Sequence, residues 1–369
     1  MRLFVCPACQ QTVHFENSQC TRCGHALAYL PELGMLTAME PAPSADNAEG
    51  GPQGIFVALG AGKNGRYRLC GNQIDHGACN WAVPESDGKH RFCRACRLND
   101  IIPNLSDPQA KQAWIKLEQN KRRLIYTLLE LHLPVESRDE QPQLGLAFAF
   151  KQDLPGEEKV YIAHDHGLIT INIAEADSPF REKTRIELGE GYRTLLGHFR
   201  HEIGHYYWDR LVDNSEFLEP FRKLFGDERA SYEEAVATHY KNGAPRDWHN
   251  RFVSSYASMH PWEDWAESWA HYLHMVDTLE TARNLGLVLR PKAGRDARKL
   301  EVGTRRLDFD DFDDLERNWV PLTIALNSLN RSMGLSDPYP FVLSQPALDK
   351  IRFVHDLVEK AGAATQKAA

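Results

Sequence analysis

Hydrophobic and polar residues alternate along this chain with two different periods. From Asp107 to His132 apolar residues recur at helical intervals (Trp114, Leu117, Leu124, Leu128, Leu131), and the Asp-Pro start supplies a helix entry, so a helix is expected there. "HLPVESRDEQPQ" breaks it. The period then shortens in "KVYIAHDHGLITINIAEAD", where Ile169, Ile171 and Ile173 take one face and Thr170 and Asn172 the other. Two strands joined at "HDHG" are expected. The second is either an ordinary half-buried strand or an edge that can pair with an extended peptide. From Tyr192 the helical period returns. Leu195, Leu196, Phe199, Ile203, Tyr206 and Tyr207 mark one helix. Trp262, Trp265, Ala266, Trp269 and Tyr272 or Leu273 mark the packed face of another, with Pro261 as a good first helical residue and Glu263 and Asp264 in its first turn. A turn-rich stretch and a closing helix end the chain, with "AATQKAA" expected to fray.

The first quarter has a different character. All eight cysteines of the 369 residues lie before residue 97, and disulfides of a secreted fold would not segregate this way. Cys6-x2-Cys9, ten residues, then Cys20-x2-Cys23 is a four-thiolate zinc-ribbon pattern, in which each tight turn presents two sulfurs to one ion. Two pairs in register favour metal over a redox dithiol. Cys70-x8-Cys79-x13-Cys93-x2-Cys96 forms a second set, with His76 and His90 between its members as substitutes for a cysteine. Four protein ligands leave no open position, so both sites are expected to be structural. "EPAPSADNAEGGPQG" (40–54) reads as a flexible linker.

Bulk properties narrow the function. Net charge is -8 and the isoelectric point near 6.1, which argues against binding driven by phosphate attraction, so nucleic acid is not an expected partner. Mean hydropathy is -0.49 and no run approaches a membrane span, so no membrane association is expected. "MRLFVCPACQ" carries no charged-then-apolar leader, which places the expected location in the cytoplasm.

"GHFRHEIGHYYWDRL" (197–211) places His201 and His205 at i and i+4 on one helix face, so both imidazoles can reach one zinc ion. Glu202, one step round, sits where a carboxylate can polarise a water. His198, one turn earlier, is either a neighbour of the site or a plain surface histidine, and the second reading is the expected one. A catalytic zinc needs a third protein ligand and one open position. The metzincin continuation would put a glycine at 208 and a histidine at 211; Trp208 and Leu211 exclude it. Glu263 and Glu267, i and i+4 on a later helix, supply acids on one stripe, and Ala266 and Ala270 keep the surface beside them thin enough for another helix to approach. One of the two can bind zinc while the other accepts the free N–H of a ligand histidine.

His201-Glu202-x-x-His205 followed by Glu263-x-x-x-Glu267 resembles the gluzincin metallopeptidases. That resemblance implies Glu263 as the metal ligand and Glu267 as its support, with Asp264 or Glu267 as substitutes for the ligand, because the gap after His205 is longer than in thermolysin. Tyr256, seven residues before Glu263, matches the lethal-factor-like pattern, in which a tyrosine hydroxyl stabilises the oxyanion; a core tyrosine is the alternative. The strings "CPAC", "CTRCG", "ACNW", "CRACRLNDIIPNL", "GHFRHEIGHYYWDRL", "WEDWAESWAHYLH" and "SDPYPFVLS" span nearly the whole chain and are similar to a bacterial family of zinc-binding metallopeptidases with an N-terminal zinc ribbon.

The expected architecture is α+β: a mainly helical, zincin-like domain with a small β-sheet at 106–369, preceded by a ribbon at 1–30, a linker at 31–65 and a second four-cysteine module at 66–105. The expected activity is hydrolysis of peptide or amide bonds of a peptide or protein substrate by a zinc-activated water, with Glu202 as general base. One catalytic and two structural zinc ions are expected, and the ribbons are candidates for recruiting a protein partner. The rival is a non-catalytic binding module on a zincin-like scaffold, recruiting protein or nucleic acid; the intact Glu202 argues against it.

Overall fold

A computed structural model describes residues 2–43, 54–62, 65–156, 159–188, 193–290 and 309–368. It is a mixed α+β structure, about 47% helical and 15% strand. The chain divides into two compact units: Met1–Glu130 with Val135–Val160 and Thr170–Ala176, and Leu131–Pro134 with Tyr161–Ile169 and Asp177–Ala369.

The first unit opens with a two-stranded hairpin, β1 (Phe4–Val5) and β2 (Thr12–Val13). β3 (Ala26–Leu30), β4 (Met35–Pro41), β5 (Ile55–Ala58), β6 (Arg66–Leu69), a short helix α1 (Gly71–His76) and β7 (Ala82–Pro84) follow. The strands β3 to β7 pair in sequence order as an antiparallel meander. This corrects the linker expected over 31–65. Leu36, Ala38 and Met39 of β4 are buried, and Pro41 sits in register with Phe56 at the end of a ladder. The composition of 40–54 suggested a linker, but its first two residues, Glu40 and Pro41, complete a strand; 44–53 lie outside the described residues. The two cysteine modules therefore share one sheet.

β8 (Asn99–Ile101), α2 (Pro108–Glu130) and β9 (Ala147–Lys151) complete this unit, β8 and β9 running parallel. Asp107 Oδ1 accepts the amide of Gln109 at 2.8 Å and so starts α2 where the Asp-Pro pair predicted. The helix buries Trp114, Leu117, Leu124, Ile125 and Leu128, the expected face. Phe15, Tyr29, Trp81 and Tyr126 meet with ring centroids 4.9–6.3 Å apart. Helix α2 thus shares a core with the ribbon sheet, so the first unit runs past the boundary expected at 106.

β10 (Ala163–Asp165) and β11 (Leu168–Asn172) form the hairpin expected at "HDHG". β11 has a strand on each side, β10 and β9, so it is not the edge that could take an extended peptide. The second unit continues with α3 (Ser178–Leu188), α4 (Leu195–Leu211), α5 (Leu218–Phe225), α6 (Tyr232–Asn242), α7 (Pro261–Asn284), α8 (Phe312–Ser332) and α9 (Gln345–Ala368). α9 carries on to Ala368, into the stretch expected to fray, consistent with its alanines, the best helix formers. α4 starts at Thr194, whose hydroxyl accepts the amide of Gly197 at 3.0 Å. α7 starts at His260, whose Nδ1 accepts the amide of Trp262 at 3.1 Å, with Pro261 in the first turn.

α4 and α7 pack closely because residue 204 is glycine. A Cβ there would lie 3.0 Å from Ala266 Cα and 3.1 Å from Trp269 Cβ. Trp265 closes the contact by donating its indole N–H to the Gly204 carbonyl at 2.8 Å. Trp269 stacks on Tyr207 at 4.9 Å. Among the described residues no helix is long and apolar enough to cross a membrane.

Candidate metal centre

Helical spacing and the α4–α7 contact together build one cluster. His201 and His205 stand one turn apart on α4, and Glu263 enters from the first turn of α7. Their ligand atoms converge. Glu263 Oε2 lies 2.9 Å from His201 Nε2 and 3.6 Å from His205 Nε2, and the two imidazole nitrogens are 3.3 Å apart. A tetrahedral zinc with ligands at about 2.0–2.1 Å has donor–donor edges of about 3.3 Å. Glu263 Oε2 is buried and, beside its ion pair with His201, makes no well-aligned hydrogen bond among the described residues. These residues fit a zinc ion.

Glu267 lies one turn beyond Glu263. Its Oε1 accepts the Nδ1–H of His201 at 2.8 Å, and its Oε2 accepts the hydroxyl of Ser254 at 2.6 Å. A carboxylate can only accept, so Nδ1 carries a proton toward Glu267 and Nε2 is the nitrogen that faces the cluster. Asp264, a substitute ligand in the sequence reading, is committed elsewhere: it is fully buried and pairs with Lys350 at 2.5 Å. His198 lies one turn before His201, outside the cluster. Trp265 and Trp269 are core residues, whereas Trp262 is half-buried with its ring 4.3 Å from that of His205.

The electrostatics follow from burial against charge. Burial opposes a charge on His201, yet Glu263 and Glu267 outweigh it and hold the imidazolium well above its usual range. Burial likewise opposes ionisation of Glu263, and the two histidines overcome it. A divalent cation would take over the countercharge that this proton now provides, so metal binding here releases protons. Glu202 is buried without an ion-pair partner among the described residues, and burial raises its carboxyl pKa against the pull of His201 and His205.

Tyr256 occupies a short 3-10 turn with its ring 5.8 Å from that of His201. Burial, then Glu263, push its phenol well above its usual range, so it stays protonated. Tyr232 was not anticipated from the sequence. Its hydroxyl donates to Glu263 Oε1 at 2.8 Å. It stands on a separate helix, 31 residues upstream of Glu263, and no local spacing signals the contact. Ser254 was missed for the same reason.

In the first unit, both cysteine sets cluster as expected. Cys6 and Cys23 sulfurs are 3.7 Å apart, Cys9 and Cys20 3.6 Å, and Cys79 and Cys93 3.7 Å. Sulfurs at about 2.3 Å from a tetrahedral ion stand about 3.8 Å apart. All eight thiols are free of disulfides, and each set of four converges within 4.8 Å. The histidines between the second set stay out of it. His90 pairs with Asp87 at 2.9 Å, and the ring of His76 lies 5.6 Å from that of Trp114.

Comparison with known proteins matches this division of chemistry. A family model described as "Putative zinc-binding metallo-peptidase" matches residues 110–357, and a zinc-ribbon domain model matches residues 3–107. Uncharacterized proteins of Mycobacterium tuberculosis (strain ATCC 25618 / H37Rv) and Mycobacterium bovis (strain ATCC BAA-935 / AF2122/97) are each 41% identical over 367 residues, covering 98% of this chain and 96% of the relative. No solved structure matches the chain.

Proposed function

Since the chain belongs to the zinc-binding metallopeptidase family, we propose that it hydrolyses peptide or amide bonds at the cluster of His201, His205 and Glu263, in the gluzincin manner. The observation that carries this reading is the convergence of three ligand atoms beside a buried glutamate, Glu202, that has no ion-pair partner among the described residues. His201, His205 and Glu263 would hold zinc, and Glu267 fixes the tautomer of His201. A zinc ion held there supplies Lewis acidity, which acidifies water and polarises a carbonyl.

The chain's own groups do the rest. Glu202, its carboxyl pKa raised by burial, takes a proton from the attacking water and returns it to the leaving amine. Tyr256, held protonated, donates its O–H to the oxyanion as the carbonyl carbon becomes tetrahedral. The two four-cysteine clusters hold structural zinc, which gives one catalytic and two structural ions per chain. A peptide or protein is the substrate, the ribbons are the surface for a protein partner, and the cytoplasm is the compartment of action.

The test is a peptide library incubated with wild type and with Glu202→Gln, the metal content of both being measured. Cleavage by wild type and its loss in a variant that keeps its metal support the reading. Cleavage that survives the substitution, or a wild type that cuts nothing, sinks it.

A further inference from the structure

We propose that Tyr232 is a positioning residue that commits Glu263 to offering a single oxygen to the metal. The inference rests on the zinc reading of the His201, His205 and Glu263 cluster, and adds a residue to it. The two oxygens of Glu263 have different surroundings. Oε1 receives the Tyr232 hydroxyl at 2.8 Å. Oε2 faces both histidine Nε2 atoms, at 2.9 and 3.6 Å, and makes no well-aligned hydrogen bond among the described residues. A carboxylate free at both oxygens can close on an ion in bidentate fashion and fill the position that a catalytic zinc needs open. A phenol engaged with one oxygen prevents that.

The phenol is delivered by a dedicated arrangement. His260 caps α7 through Nδ1, which accepts the Trp262 amide at 3.1 Å, and donates through Nε2 to the Ala230 carbonyl at 3.1 Å. One imidazole therefore fixes both the start of the helix that carries Glu263 and the chain two residues before Tyr232. The ring of Tyr232 stands edge-on to His260 at 5.4 Å. Gly226, at φ 110°, lets the preceding loop approach Pro261, where a Cβ would lie 3.2 Å from Pro261 Cγ. Ser231 caps α6 by accepting the Glu234 amide at 3.3 Å. Helix α6 buries none of its residues, and Tyr232 itself is 39% exposed. The ring's contacts with His260 and Trp262 are ones a phenylalanine would also make, so the hydroxyl is the feature aimed at the site.

The experiment uses the full chain with its ribbons loaded with zinc. Zinc affinity of the third site is measured by chelator competition, and the visible spectrum is recorded with cobalt(II) in that site. Tyr232→Phe keeps the ring and removes the donor. The expected result is a loss of about 10–100-fold in affinity, the range for removing a partner of a metal ligand. The cobalt absorption should also weaken as Glu263 becomes bidentate and coordination rises, with both ribbon ions and the far-ultraviolet circular dichroism unchanged. Because Tyr232 acts through Glu263, the pair Tyr232→Phe with Glu263→Ala should bind no more weakly than Glu263→Ala alone. A wild-type affinity and spectrum in Tyr232→Phe, or additive losses in the pair, would overturn the inference while leaving the zinc reading intact. A wild type that binds no third ion overturns both.

Discussion

The Nδ1 of His201 and the Oε1 of Glu267 are 2.8 Å apart, and the second oxygen of Glu267 is held by Ser254 at 2.6 Å. This chain of three groups sets which nitrogen of His201 faces the cluster. Removing the carboxylate frees the ring to rotate and to exchange tautomers. Glu267→Ala should therefore weaken metal binding at this cluster by about 10–100-fold without touching a ligand. Ser254→Ala should cost less, because the carboxylate remains and only its orientation loosens. Isothermal titration of metal into chains whose ribbons are already loaded checks both. Equal and negligible effects would detach Glu267 from the site.

Gly204 makes a different demand, on packing. It is the residue before His205, and the space beside it is filled by Ala266 and Trp269 of the helix that carries Glu263. Gly204→Ala puts a methyl into that contact, where the facing atoms are backbone and an indole root with little room to give. Overpacking of this kind costs about 1–3 kcal/mol. It outweighs the gain of up to about 1 kcal/mol that alanine brings to a helix interior. The variant should unfold at a lower denaturant concentration and bind the third metal more weakly, since the ligands on α4 and α7 are pushed apart. A urea titration decides it: a midpoint at or above that of wild type would mean that the helices part without cost.

Much of this centre could be read from the chain because its parts are local. His201, Glu202 and His205 lie on successive turns of one helix, as do Glu263 and Glu267 on another, and a period of 3.6 residues fixes which of them face together. The small residues Ala266 and Ala270 marked the surface on which another helix could rest, although Gly204, which makes the approach close, was not singled out. Tyr232, Ser254 and His260 reach the site from turns and helix starts whose path no period encodes. The ribbon region hides its strand pairing for a related reason. Pairing of Met35–Pro41 with Ile55–Ala58 joins strands across a segment rich in alanine, glycine and proline, and composition alone favoured a linker. The shared aromatic core of Tyr29, Trp81 and Tyr126 is equally non-local, so the placement of α2 with the ribbon sheet could not be seen.

That placement carries a prediction for the second cysteine set. Cys70, Cys79, Cys93 and Cys96 are all buried, and four thiolates around a divalent ion hold a net charge of about -2. A charge of that size away from water needs a counterion. Arg122 of α2 provides one. It is buried and donates to the Ala78 carbonyl; burial opposes its charge, but Cys79, Cys96 and Glu118 outweigh it and hold the guanidinium above its usual range. Glu118 pairs with Lys121 at 2.9 Å and lies 4.0 Å from Arg122, so the guanidinium is shared between this carboxylate and the sulfurs. Arg122→Met keeps most of the side-chain volume and removes the charge. Zinc held by the second set should then be released to a chelator at least about 10-fold faster, following the general effect of outer-sphere partners on metal sites. The first set, Cys6, Cys9, Cys20 and Cys23, should release zinc at the wild-type rate in the same experiment. A colorimetric release assay in the full chain separates the two phases, and a variant with both phases unchanged would show that the sulfurs of the second set need no buried cation.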